Sequence, residues 1–319
     1  NVHVHGYGGA MLPESFTSAY FDDLPETPIY IGGDYILFYA QGPLSWQYDA
    51  TKMQFVHTVN PYSNFGYYFI TQTAAAARQI TTIAAESLTP TTTIDYFLDR
   101  DVHEKDLVNL ATSGREFYGE KFTGNTSNSF GFSFPNTDIS RQGKIRVNAA
   151  ATSSSSSSMS VAYNGSLGSI SFSPAGTYDY AISGTGSYAY TPTSDSPSFT
   201  LQLNQTTSSV TGYLNYIEAN QYRKLSMTGA ALSFRNPDFL NQNAVLQYTL
   251  SSAGSNVKIW NVTDQQNITE IPVTRNSSVL TFISSAQNLQ EYLAIDPTQV
   301  SAFGTPEIVQ TNVPNQNLH

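Results

Sequence analysis

The sequence predicts an all-β chain, mainly antiparallel and β-sandwich- or barrel-like, with one or two short helices. Three observations carry that expectation. Aromatic residues make up 13% of the chain, with 21 Tyr and 18 Phe, while charged residues make up only 12%. Aromatic and β-branched side chains suit a pleated, half-buried surface, so this is a strand-and-turn composition. Past residue 140, short strand-like runs recur at about 8–12 residues, the spacing of a sandwich or barrel. Apolar content of 40% is too high for a disordered chain.

The elements follow in order. Residues 1–30 are punctuated as loops by Gly6, Gly8, Gly9, Pro13, Pro25 and Pro28. Residues 34–40 are apolar on both faces, which predicts a central strand covered on both sides. Gln54–Val59 and residues 66–71 read as a hairpin joined by Asn60-Pro61-Tyr62-Ser63-Asn64. Residues 91–98 read as a strand. A helical pattern follows, with a short helix expected near 102–112. Leu107, Val108, Leu110 and Ala111 would form its apolar face and Gly114 its stop. Residues 115–122 read as extended. Phe130, Phe132 and Phe134 alternate with Gly131 and Ser133, as in a strand with one buried aromatic face.

From about residue 140 Ser, Thr, Ala and Gly rise. Strands are expected at 144–151, 159–163, 169–172, 178–182, 198–204, 212–218, 224–228, 245–250, 258–262 and 279–283. Residues 153–158 are read as a Ser-rich stretch of strand or a hairpin tip, because strands flank them directly. Residues 285–293 fit a short helix, and 291–295 fit a strand equally well. A soft boundary near 140 separates an aromatic-rich β-region, 1–140, from a β-sandwich-like region, 141–319.

Charge narrows the function classes. With 24 Asp plus Glu against 14 Lys plus Arg, the net charge of −10 repels phosphate backbones, and no basic stripe offsets it. Nucleic acid is set aside as a partner, and a polybasic membrane patch is missing for the same reason. The chain has no cysteine, hence no disulfide, thiolate zinc site or thiol nucleophile. No run of 18 apolar residues predicts a spanning helix. The opening Asn1-Val2-His3-Val4-His5 has no signal-peptide pattern, so the N-terminus is expected to be a cut end. Low Lys with abundant Thr, Ser, Asn and Tyr fits an exported surface protein.

Candidate chemistry is sparse. On a strand, His3 and His5 would share a face and could share a metal, although no third ligand is in sight. Asp99, Asp101, Glu104 and Asp106 offer hard oxygens for calcium, but their spacing misses the EF-hand loop. A solvated helix start is the better reading of these acids. Asp22, Asp23 and Glu26 form an acidic loop whose use as a carboxylate pair would need a cleft. His57 is expected to be a partly buried strand residue. His103 and His319 sit in no motif, and no G-x-S-x-G elbow is present. Trp46 or Tyr48, if exposed, could stack on sugar rings. The sequons at Asn125, Asn164, Asn204, Asn261, Asn267 and Asn276 are a weak signal in a chain this rich in Asn, Ser and Thr. No catalytic, cofactor-binding or metal-binding residue is assigned, and no cofactor is expected.

Longer strings go further when taken in order. They are Gly8-Gly9-Ala10-Met11-Leu12-Pro13-Glu14, Gly33-Asp34-Tyr35-Ile36-Leu37-Phe38-Tyr39-Ala40-Gln41-Gly42-Pro43, and His57 through Asn60-Pro61-Tyr62-Ser63 to Tyr67-Tyr68-Phe69-Ile70-Thr71. Next come His103-Glu104-Lys105-Asp106-Leu107-Val108-Asn109-Leu110, Ser113-Gly114-Arg115-Glu116-Phe117-Tyr118-Gly119-Glu120, and Ile259-Trp260-Asn261-Val262-Thr263-Asp264. The last is Val313-Pro314-Asn315-Gln316-Asn317-Leu318-His319. As an ordered set, they resemble the region before the peptidase domain in the PorU family of type IX secretion sortases, which are gingipain-like cysteine peptidases.

The resemblance implies a parent on the outer surface of a Gram-negative bacterium, held by an outer-membrane β-barrel partner. Such a parent removes C-terminal sorting domains from cargo and can join the cargo to lipopolysaccharide. Its Cys and His are expected beyond residue 319, and His319 is not read as the catalytic His. The chain itself is then expected to be non-catalytic. Its expected partners are the downstream peptidase domain, the barrel, cargo sorting domains and lipopolysaccharide. The alternative is a stand-alone carbohydrate-binding β-sandwich.

Overall fold

The computed structural model describes residues 1–11, 24–204 and 210–313. Its regular elements there are strands, apart from one 3-10 turn at Val300–Ala302. The chain divides into two compact units. The first comprises Asn1–Trp46, Thr58–Asp95 and Leu225–His319, and the second Gln47–His57 and Tyr96–Lys224. Residue 140 lies inside the second unit.

The second unit is an antiparallel sandwich. One sheet runs Lys121–Thr123, Thr211–Lys224, Gly143–Thr152, Ile182–Tyr190, and Tyr96–Glu104 also pairs with Thr211–Lys224. The other runs Ser127–Gly131, Ser198–Asn204, Ser157–Ala162, Ser166–Phe172. The period of two in each strand sends one face inward. Ile145, Val147 and Ala149 of one sheet thus meet Met159, Val161, Phe199, Leu201 and Leu203 of the other in one core. Phe130, Phe132 and Phe134 are all buried there, as their alternation predicts. Phe199 sits among Phe132, Tyr163 and Tyr190, with ring centroids 5.8, 5.3 and 4.8 Å away. Each such side chain contributes about 1.5–3 kcal/mol on burial. Of the Ser-rich run 153–158, Ser157 and Ser158 open a strand as expected, while residues 153–156 carry the chain from one sheet to the other rather than forming a hairpin tip.

The first unit holds two larger sheets. Ala231–Phe234, Tyr292–Ile295, Lys258–Asn261, Thr269–Ile271 and Thr81–Thr82 form one. Thr274–Asn276, Val279–Ser285, Val245–Leu250 and Thr92–Ile94 form the other. The two short early strands join in parallel and the remainder are antiparallel. Phe234, Tyr248, Phe282 and Tyr292 pack as a ring cluster, with Tyr248 stacked on Phe282 at 4.8 Å. A second cluster centres on buried Trp260 with Val262, Ile268 and Ile295. Three two-stranded ribbons complete the strand set: Val2–Gly8 with Tyr67–Gln72, Ile29–Ile31 with Ile36–Phe38, and Leu44–Asp49 with Gln54–Val59.

Several expectations need correction. No helix occupies 102–112. Tyr96–Glu104 is a strand held over nine residues by Thr211–Lys224, and Val108 then bridges Tyr118. Long-range pairing overrides a weak local helical preference, and Leu107 ends up exposed. Residues 285–293 hold no helix either, whereas the strand alternative is present as Tyr292–Ile295. Gln54–Val59 does not pair with Tyr67–Gln72. It pairs back onto Leu44–Asp49, because Asp49 builds the turn between them. Its Oδ1 accepts the Thr51 and Lys52 amides at 3.0 Å each, an Asx turn. Ile36–Phe38 is a half-buried member of a two-stranded ribbon, not a covered central strand. Its tight turn, with Gly32 N donating to Tyr35 O at 2.9 Å, folds it back on Ile29–Ile31.

The packing at Phe199 gives a direct check. Urea unfolding followed by circular dichroism is expected to show Phe199→Ala losing about 3–5 kcal/mol. A loss below about 1 kcal/mol would contradict a core closed at that ring.

Candidate functional site

The strand Thr211–Lys224 presents different chemistry on its two faces. Gly212 and Leu214 face the sandwich core, and so do Ile217 and Ala219. The alternation shifts because Ala149 pairs with Leu214 and Asn148 with Tyr216, leaving Asn215 as an extra residue. Such a bulge re-aims the side chains beyond it. Tyr216, Glu218 and Asn220 are thereby carried to the opposite face, where the hairpin tip Gln47–His57 lies within the same unit.

The tip is held by side chains acting as strand partners. Asn220 accepts the Phe55 amide at Oδ1, 2.7 Å, and donates from Nδ2 to Phe55 O, 3.1 Å. One buried amide thus satisfies both backbone groups of a buried residue, as a neighbouring strand would. Glu218 Oε1 accepts the His57 amide at 2.9 Å. Lys144 Nζ donates to Lys52 O at 2.6 Å. The Phe55 ring lies 4.4 Å beneath the Arg100 guanidinium and 5.1 Å from Tyr48.

The charges form a closed set. His57 Nδ1 is 2.6 Å from Glu218 Oε1, and its Nε2 is 2.6 Å from Glu104 Oε2. An ionised carboxylate can only accept, so both ring nitrogens donate and the ring is an imidazolium. Arg146 Nη1 reaches Glu218 Oε2 at 3.1 Å. Glu218 is fully buried, and an unpaired carboxylate there would cost several kcal/mol. Two acids thus face two cations. Burial opposes the imidazolium, but the hydrogen bonds it donates to Glu104 and Glu218 outweigh it and raise His57 from 6.5 to about 9. Tyr216 meets the imidazole edge-on at 4.8 Å, and burial lifts its hydroxyl to about 12. With both nitrogens engaged, His57 is not placed as a general base. The arrangement is a clamp on the hairpin tip.

The other singled-out residues are scattered. His3 and His5 do share a face, their rings stacked at 6.4 Å. His3 is buried, however, with Nδ1 on Glu26 Oε1 at 2.7 Å and Nε2 on Thr73 Oγ1 at 2.8 Å. Glu26 also accepts the Arg78 amide at 2.9 Å. Despite burial, these bonds hold its carboxyl below the ordinary range. Asp22, Asp23 and His319 lie outside the described residues. The four acids of 99–106 do not form a helix start. Asp99 pairs with Arg223 at 2.6 Å, Asp101 accepts the Val102 amide, and Glu104 serves His57. Among the described residues, no three His, Asp or Glu side chains group as metal ligands. His103 bonds Glu120 at 3.0 Å. Trp46 and Tyr48 are half-buried rather than exposed.

Two outcomes follow for the clamp. Raising a pKa on folding stabilises the protein fully below about pH 6.5 and loses that contribution as pH rises through about 9. An NMR titration of the His57 ring is expected to give a midpoint near 9, falling when Glu218→Gln removes a partner. A wild-type midpoint near 6.5 would contradict the double ion pair. Asn220→Ala should destabilise by about 1–3 kcal/mol for each of the two Phe55 backbone groups it strands. A change within about 0.5 kcal/mol, measured by urea unfolding, would show that the tip is not held there.

No protein-family model matches this sequence, and no curated protein matches it. Among solved structures, the dimeric latent PorU from Porphyromonas gingivalis superposes with a TM-score of 0.87 at 27% identity. The match covers 99% of this chain and 31% of that one. The CBM36-1 domain of a multidomain xylanase from the hindgut metagenome of Trinervitermes trinervoides covers 38% of this chain and 96% of its own, at 8% identity and a TM-score of 0.27. A carbohydrate-binding module CBM36 in complex with calcium and xylotriose covers 38% and 98%, at 16% identity and a TM-score of 0.26. Likeness at those two scores carries no argument. The ordered strings, the all-β architecture and this superposition agree: the chain is a PorU-like segment, spanning 31% of the length of the protein it resembles.

Proposed function

We propose that the chain is the non-catalytic, β-rich portion of a type IX secretion sortase and lies ahead of that enzyme's peptidase domain. The observation that carries this reading is the superposition on PorU over 99% of the chain at a TM-score of 0.87. A cysteine peptidase needs a thiolate, and this chain has no cysteine. In this reading the parent sits at the outer-membrane-associated surface of a Gram-negative bacterium. It cleaves C-terminal sorting domains from cargo and joins the cargo to lipopolysaccharide. This chain serves it as scaffold and docking surface for the peptidase domain, a β-barrel partner, cargo sorting domains and lipopolysaccharide. The buried clamp fits that role, because it fixes a hairpin and leaves His57 engaged at both nitrogens.

A second element of the proposal is self-association of the parent, since the PorU structure on which this chain superposes is described as dimeric. The sugar-binding alternative would draw on Trp46 and Tyr48, both half-buried, with Tyr48 packed on Phe55.

Binding of the immobilised chain to a cargo sorting domain and to the solubilised barrel partner tests the docking role. Retention of at least one, without hydrolysis of the cargo, is the expected result. Failure to retain either, under conditions where the full-length enzyme retains both, would assign docking to other parts of the parent.

A further inference from the structure

The second unit carries a cavity of about 390 Å³ walled by two loops. One loop follows the strand Tyr96–Glu104 and closes on itself. Val108 N donates to Tyr118 O at 2.9 Å, and Tyr118 N donates to Val108 O at 2.8 Å. Its turn is fixed by Asn109 Oδ1, which accepts the Ser113 amide at 3.0 Å, and by Gly114, whose φ of +80° is left-handed. The other loop precedes the strand Ile182–Tyr190. There the Asp179 carboxylate turns back to accept the Gly176 amide at 2.9 Å, and Ala175 N donates to Ser153 O at 2.6 Å. Both walls are thus tied within the unit, which lowers the cost of ordering them around a ligand.

The lining combines rings with charge. Tyr178 and Tyr180 line the cavity and are nevertheless 95% and 66% exposed. No described large apolar side chain is more exposed than Tyr178. Leaving such rings in water forgoes the burial that draws most aromatic side chains inward. Arg115, Glu116 and Asp179 bring both signs of charge to the same cavity. Tyr118 is buried, and that burial, with the Glu116 carboxylate beside it, pushes its hydroxyl up, so it keeps its proton.

The mixed charge selects the ligand. A cation would meet the Arg115 guanidinium, and an anion would meet two carboxylates. A hydroxyl group suits both, since it donates to a carboxylate and accepts from a guanidinium. A pyranose ring presents hydroxyls at its rim and C–H groups on its face, and a tyrosine has an apolar face with a polar tip. The volume is that of a small-molecule site.

We propose that this cavity binds a neutral oligosaccharide. Tyr178 and Tyr180 stack on its rings, and Arg115, Glu116 and Asp179 engage its hydroxyls. Trp46 and Tyr48 take no part in the site, which does not depend on the sortase reading.

Isothermal titration calorimetry of the full chain with cellotriose, xylotriose, α-mannotriose and chitotriose tests it, with trigalacturonate as the anionic counterpart. At least one neutral trisaccharide is expected to bind with a dissociation constant of about 1 mM or tighter. Tyr178→Ala and Tyr180→Ala should each weaken that binding about tenfold or more. Tyr178→Phe keeps the ring face and should stay within about threefold of wild type. Tyr62→Ala, at a residue 69% exposed in the other unit, is the control and should bind as wild type does. Thermal unfolding of the variants should match wild type, because all three tyrosines are exposed. No binding of any neutral trisaccharide at about 10 mM overturns the proposal. So does binding that both alanine variants retain in full, and so does tighter binding of trigalacturonate than of every neutral probe.

Discussion

A buried carboxylate governs how the second unit is built. Glu218 is inaccessible to solvent, and its ionised form is tolerable only with partners in place. Arg146 comes from the neighbouring strand and His57 from a hairpin that is remote in sequence. His57 brings Glu104 with it, and the four charges cancel. The requirement to pair Glu218 therefore fixes where the hairpin tip rests. The bulge at Asn215 is what makes this possible, because it turns Glu218 away from the sandwich core while Ile217 and Ala219 stay in it. One strand then serves a dry apolar layer on one face and a polar clamp on the other.

The clamp also bears on function. Buried ion pairs of this kind are weak sources of net stability but strong constraints on which arrangement is adopted. A scaffold segment would benefit from such a constraint, and the PorU-like architecture gives the scaffold reading its support. Chemistry, in that reading, belongs to a peptidase domain with its own Cys and His. In the same reading this chain contributes surfaces rather than chemistry.

Much of the fold was legible where one strand's own pattern decided it. Gln54–Val59, Ser198–Asn204 and Val245–Leu250 have the bounds their alternation suggests, and the three phenylalanines of 130–134 are buried as a set. What depended on a distant partner was not legible. The helix expected near 102–112 is replaced by the end of the strand Tyr96–Glu104, which Thr211–Lys224 holds in a ladder, and by the Val108–Tyr118 bridge. Ile182–Tyr190 was largely missed because Gly184 and Gly186 blur its alternation. A Cβ on Gly184 would fall 2.7 Å from Ile170 Cγ2, so close packing explains that glycine. The clamp was hidden for the same reason: His57 and Glu218 are 161 residues apart. The one local signal was an acid set among Leu214, Tyr216, Ile217 and Ala219, a position that requires a cationic partner without naming it.

The account stands or falls on whether the hairpin tip is an integral part of the second unit. Native-state hydrogen exchange at the Phe55 and His57 amides reads this directly, because their acceptors are the side chains of Asn220 and Glu218 rather than a neighbouring backbone. The account predicts protection of both amides equal to that of core amides such as Val147 and Phe199. Exchange at the rate of an exposed loop, with the sandwich core still protected, would contradict it.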